Sequence, residues 1–150
     1  MPEIPDLEGY RAYFNARLPG VRVSHALVTI PIVVRSAREE FAAALTGEAF
    51  AEARRQGKYL LFPFESGRLM VVHAMLTGRF QYCDPAQKRR ARTAFVLALD
   101  NGLEMRYFDQ RLMGKVYLVD AGPNSDHALN ALGIGINEID GIFHTHCHDD

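Results

Sequence analysis

Tryptophan is absent from the sequence, and cysteine occurs only twice, at Cys83 and Cys147. Two thiols cannot build a disulfide framework, so a reducing cytoplasm is the expected setting. No apolar run approaches the roughly 20 residues that a membrane helix needs, which excludes a helical span and a membrane partner. The opening MPEIPDLEGY has two prolines, three acids and no apolar segment, so it suits neither an export signal nor a core element. Positive charge is missing from one whole region: residues 116–150 hold no Lys or Arg, but six acids and four of the six histidines. The formal net charge of −1 therefore conceals a strongly basic middle, with twelve Lys and Arg against six acids over residues 50–115. Such a stretch is either a solvated charged face or a surface for a polyanion such as nucleic acid.

What is present is enough for one domain with a real core: 150 residues, 48% of them hydrophobic. Asp6 can cap a helix that runs to about Leu18, with Leu7, Tyr10, Phe14 and Leu18 on one face. Residues 21–30 read as a strand. Ser36 followed by Glu39 gives a capping-box signature for a second helix of about ten residues, stopped at Thr46-Gly47. Short strands follow at intervals of 8–12 residues. Among them TAFVLALDNGLEMRYF is a hairpin, whose Asn101-Gly102 suits a tight primed turn. Residues 84–92, DPAQKRRAR, form a basic loop. The expected fold is α+β: an antiparallel β-sandwich or barrel flanked by two helices.

The terminus has chemistry of its own. Removal of Met1 would expose the secondary amine of Pro2. An α-amino group titrates near ~8, so roughly a tenth of it is unprotonated at neutral pH, far more than for a lysine. Such an amine can attack a carbonyl-like carbon such as a sugar C1′ and form an iminium, with Glu3 beside it to move protons.

Four ordered blocks carry a resemblance. PEIPDLE is similar to Pro-Glu-Leu-Pro-Glu-Val-Glu, and RRQGKYLLFPF to Arg-Arg-x-x-Lys-Tyr-Leu. VVHAMLTGRF resembles a strand with His-Leu-Gly-Met-Ser-Gly, and LDNGLEMRYFDQRLMGKVYLV a hairpin followed by Asp-Pro-Arg-Arg-Phe-Gly. Together, over residues 2–118, they resemble the formamidopyrimidine-DNA glycosylase/endonuclease VIII (Fpg/Nei) family. The resemblance implies a base-excision repair glycosylase with abasic-site lyase activity on damaged double-stranded DNA. It implies Pro2 as nucleophile, Glu3 as the acid at the deoxyribose ring oxygen, and Lys58 at the phosphate. It further implies that Leu76 and Met113 are wedges into the duplex, standing where the family has Met and Phe, and that Arg111 faces the orphaned base. Arg92 stands where a DNA-contacting His is common. Asp6, Gln110 and Leu112 also depart from the family pattern. A monomer associated with the nucleoid is expected, with no cofactor required for catalysis.

The family's helix–two-turn–helix module and zinc finger are not found in these residues, so any zinc would lack its usual site. The stretch after Val119 instead resembles a fragment of the metallo-β-lactamase fold, with HTHCHDD matching His-x-His-x-Asp-His up to its last His. His144, His146 and Asp149 would be the matching metal ligands. The expected division is thus a catalytic domain over 1–118 and an acidic, His-rich tail over 119–150. Two other readings remain at this stage: a DNA-binding module without turnover, and a metal-dependent hydrolase fragment.

Overall fold

A computed structural model describes residues 3–120. Its elements in chain order are α1 (Ile4–Asn15), β1 (Val23–Val28), a short 3-10 turn (Pro31–Val33), α2 (Arg38–Leu45), β2 (Arg54–Gln56), β3 (Tyr59–Pro63), β4 (Arg68–His73), β5 (Gly78–Cys83), β6 (Thr93–Leu99), β7 (Glu104–Asp109) and β8 (Lys115–Asp120). The strands form two four-stranded sheets, ordered β1-β6-β7-β5 and β2-β3-β4-β8, with every neighbouring pair antiparallel. The expected α+β sandwich with two helices is what the chain forms.

Alternation along the strands sends one set of side chains between the sheets. Leu60, Phe62, Met70, Val72 and Val116 of one sheet join Phe95, Leu97, Met105 and Tyr107 of the other in a single core. Both helices add to it, α1 through Leu7 and Phe14, α2 through Phe41 and Leu45, each no more than 2% exposed. Phe14 meets Phe62 and Phe80 edge-on at 5.7 and 5.4 Å between centroids. Each such ring is worth roughly 1.5–3 kcal/mol of burial, so the helix is held chiefly by this face. Tyr59, Leu61, Leu69, Val71 and Tyr117 make a second, smaller buried cluster.

Three local expectations are corrected. The first helix starts at Ile4 with Glu3 as its N-cap, not at Asp6. Pro5 is accommodated because the first turn has no use for its missing N–H, and Asp6 instead accepts the Glu3 backbone N–H at 2.9 Å. The second helix takes Ala37, not Ser36, as its N-cap and has no side-chain cap. Parallel bridging of Val34 to Val116, with Arg35 N–H donating to the Val116 carbonyl at 2.8 Å, draws this segment onto β8. The Ser36 hydroxyl is then buried with no hydrogen-bond partner among the described residues. In the hairpin, Gly102 is at positive φ (88°) but Asn101 is not, which rules out a two-residue primed turn. The loop is longer, closed by Leu99 N–H on the Leu103 carbonyl at 2.9 Å, while Asn101 Oδ1 accepts the Leu103 N–H at 3.0 Å. Among the described residues no helix is long and apolar enough to cross a membrane.

Candidate nucleic-acid interface

Strand register determines which residues of distant sequence meet. Tyr59 pairs with His73, and His73 with Lys115, so three chain positions share one end of the β2-β3-β4-β8 sheet. Lys58 stands just before Tyr59, in the turn that Gly57 opens at φ 61°. Leu76 follows His73, and Arg111 and Met113 precede Lys115. In the other sheet Gly78 pairs with Asp109, which places the starts of β5 and the end of β7 at the same end. Arg92 joins them, since its carbonyl accepts the Asp109 N–H at 3.0 Å. Thus Lys58, Leu76, Arg92, Arg111 and Met113 all lie in loops at one end of the sandwich. Lys58, Arg92, Arg111 and Met113 are exposed there, and Leu76 is half-buried.

Two of these loops are crossovers between the sheets, 74–77 from β4 to β5 and 110–114 from β7 to β8. They are built around a fully buried carboxylate. Asp109, 0% exposed, accepts the Tyr107 hydroxyl at 3.0 Å and the Gly114 N–H at 2.7 Å on Oδ2, and the Thr77 hydroxyl on Oδ1. Burial first, then the adjacent Asp109 charge, raises the Tyr107 phenol well above its ordinary value, which keeps it a donor. Packing is close enough that a Cβ on Gly114 would collide with the Tyr107 hydroxyl and come within 2.7 Å of Asp109 Oδ2. Among the described residues, the non-glycine positions at positive φ are Met75 and Leu112 in these loops (54° and 56°) and Arg92 (63°), whose carbonyl bonds Asp109. Strain of this sort persists only where surrounding contacts over-determine the backbone.

The N-terminal helix reaches the same end. Phe80 N–H donates to the Tyr10 hydroxyl at 3.3 Å, and the two rings sit 5.0 Å apart, so the first turns of α1 lie beside the start of β5. An open groove of about 540 Å³ runs along this contact, lined by Asp6, Tyr10 and Arg79 among others. That size is within the range of small-ligand pockets. The helix is tethered by Glu8, whose carboxylate takes Arg55 Nε at 2.6 Å and Arg11 Nε at 2.9 Å. The same Arg55 donates to the Gly57 carbonyl at 2.8 Å, next to Lys58. The Arg55 hydrogen bond, followed by that from Arg11, holds the Glu8 carboxyl below its ordinary value.

Glu3 is the exposed N-cap of α1. Pro2, His144, His146 and Asp149 lie outside the described residues, and among the described residues no three His, Cys, Asp or Glu side chains are grouped to hold a metal. Sequence reading passed over the residues that organise the site: Asp109, Thr77, the Arg55–Glu8 tether, and His73. The last is 9% exposed, stacks edge-on to Tyr59 at 4.7 Å and accepts the Met75 N–H on Nδ1 at 3.3 Å. An aspartate closing an apolar strand was the available signal for Asp109, and His73 and Thr77 stand within the quoted VVHAMLTGRF block; nothing local marks the pairing of Arg55 with Glu8.

Comparison with known proteins agrees with this geometry. The family described as Formamidopyrimidine-DNA glycosylase N-terminal domain matches residues 1–116, and the Metallo-beta-lactamase superfamily matches residues 111–150. A formamidopyrimidine-DNA glycosylase of Pelotomaculum thermopropionicum is 33% identical over 120 residues, covering 79% of this chain and 44% of the relative. That of Symbiobacterium thermophilum is 35% identical over 123 residues, covering 81% and 40%. The chain spans less than half the length of these curated relatives. Among solved structures, Lactococcus lactis Fpg in complex with FAPY-dG-containing DNA superposes with a TM-score of 0.77 at 23% identity, over 85% of this chain and 46% of that one. The same enzyme with abasic-site DNA gives 0.77 as well.

Proposed function

This chain belongs to the formamidopyrimidine-DNA glycosylase family through an N-terminal domain at residues 1–116, and from that premise we propose that it acts in base-excision repair on damaged double-stranded DNA, as a glycosylase with abasic-site lyase activity. The observation that carries the reading is the convergence of Lys58, Leu76, Arg92, Arg111 and Met113 on one end of the sandwich, beside the positive-φ residues Met75 and Leu112.

In the proposed reaction the Pro2 nitrogen, freed of Met1, attacks C1′ of the damaged nucleotide. A bond forms between that nitrogen and C1′, the glycosidic bond breaks, and the base leaves with its electron pair, taking up a proton to match the one that the nitrogen gives up. Glu3 protonates the ring oxygen, the sugar opens, and the nitrogen lone pair completes the iminium. Loss of a C2′ proton then expels the 3′ phosphate, which is the lyase step. Lys58 neutralises a phosphate beside the lesion. Leu76 and Met113 fill the space that the extruded nucleotide leaves, at an unstacking cost of about a few kcal/mol, and Arg111 meets the base left behind. No step calls for a metal. Residues 1–118 are proposed as the catalytic unit, its last strand running on to Asp120, and residues 119–150 as a segment of separate origin.

Borohydride trapping on abasic-site DNA tests this. The processed chain should form a covalent adduct, and Pro2→Gly should lower its yield by at least about a hundredfold. Absence of any adduct, with intact mass showing Met1 removed, would sink the reaction; DNA binding unaltered by Pro2→Gly would then leave a binding module.

A further inference from the structure

The two crossover loops are tied to each other as well as to the core. Thr77 lies in the first, next to Leu76, and its hydroxyl donates to Asp109 Oδ1. The Thr77 hydroxyl oxygen in turn accepts the backbone N–H of Arg111 at 2.9 Å. One hydroxyl therefore joins the loop that carries Leu76 to the residue proposed to face the orphaned base. On the far side of the carboxylate, Gly114 N–H fixes the residue after Met113 at 2.7 Å. Leu112 N–H, bonded to the Asp109 carbonyl at 3.1 Å, closes the turn between them.

We propose that Thr77, held by Asp109, is a positioning residue that locks the Leu76 loop and the Arg111–Met113 loop into one rigid unit, so that the three DNA-facing side chains enter a duplex together. This rests on the proposed glycosylase reading for its function, although the tie itself does not. A buried carboxylate with all its donors in place is rigid, because each lost bond leaves a polar group unpaired away from water. The positive φ of Met75, just before Leu76, and of Leu112, between Arg111 and Met113, is the strain that such a tie would hold in place. Two loops free to move separately would each pay ordering entropy on entering the stack; a single unit has already lost it.

Thr77→Val removes the hydroxyl at nearly constant shape, and Thr77→Ser restores it. Two measurements on the full chain decide the matter. In the free protein, amide exchange followed by NMR should speed up by roughly five- to tenfold at Arg111 and Gly114 in Thr77→Val, with the β3 and β4 amides unchanged and Thr77→Ser like the parent. Borohydride trapping on duplex abasic DNA should fall by a similar factor in Thr77→Val, while trapping on single-stranded abasic DNA, where no orphaned base needs a partner, should hold. Equal loss on both substrates, or loosened loops with an unchanged duplex-to-single-strand ratio, would overturn the positioning role. Unchanged exchange at Arg111 and Gly114 would overturn the tie itself. Should the parent chain trap neither substrate, the reaction fails, and the exchange result still judges the tie.

Discussion

The two ends of the sandwich solve the same problem, reversing the chain, by opposite means. At one end the β3–β4 and β6–β7 turns stay within a sheet and put glycines at positive φ, Gly67 at 99° and Gly102 at 88°. At the other end the β4–β5 and β7–β8 connections cross between sheets, and Met75 and Leu112 hold positive φ in place of glycine. Glycine is the relaxed choice for such a backbone. The β2–β3 turn at this end still uses Gly57, at 61°, but the two crossovers forgo glycine and retain side chains at a cost of about 1 kcal/mol each, an arrangement that the buried Asp109 network maintains. The contrast separates turns that glycine relaxes from crossovers that hold side chains under backbone strain.

The sharpest way to break the contrast is a matched pair of alanines. Gly114→Ala drives a methyl into Tyr107 and Asp109 and should cost at least about 2 kcal/mol. Gly102→Ala has open space around it, and its positive φ alone should cost about 1 kcal/mol. Urea unfolding of both variants checks this, and equal losses would erase the distinction between the ends. Arg92→Gly sharpens it from the other side. Relieving φ 63° should stabilise the fold by up to about 1 kcal/mol, less the greater freedom of glycine in the unfolded chain. The same variant should lower the magnitude of the salt slope of DNA binding by about 0.9, the value for one phosphate contact. A change that stabilises the protein while weakening its binding would mark Arg92 as strained for function.

The smallest effect concerns the second tether of this end. Glu8 has a depressed pKa in the folded chain, set mainly by Arg55, so its contribution is present above the ordinary value of 4.5 and is lost as pH falls through the lower folded value. Glu8→Gln should therefore be slightly less stable than the parent near neutral pH and equal to it in strong acid. Denaturant midpoints at both extremes would show it; a gap that widens toward acid would reverse the sign and refute the assignment. Because the Glu8 side chain is only partly buried, solvent screening keeps this effect small.

Much of the fold was legible before any coordinates. Leu7, Phe14 and Leu18 recur at helical spacing and are all buried, and Leu18 is so even though α1 stops at Asn15. Short strands at 8–12-residue spacing were likewise expected, and β1 falls within the strand read at 21–30. Boundaries and caps were less legible, because Ser36 and Asn101 carry strong local preferences that packing overrode. Ser36 lost its cap to the pull of Val34 on β8, and Asn101 lost its primed turn to a longer loop. The candidate residues could be named from ordered motifs, but nothing in those motifs shows that Thr77 donates to Asp109, or that Arg55 spans Glu8 and Gly57.

What the sequence determined alone is the set of parts: amphipathic helices, apolar strands, a basic middle, and motifs that specify a family. These follow from local periodicity and composition, which act between near neighbours in the chain. What only the tertiary structure decided is their convergence. Register places Lys58, Leu76, Arg92, Arg111 and Met113 at one end, because antiparallel pairing and two crossovers fix positions up to dozens of residues apart. A buried carboxylate can collect donors from three such positions only after the sheets have packed and excluded the water that would otherwise satisfy it.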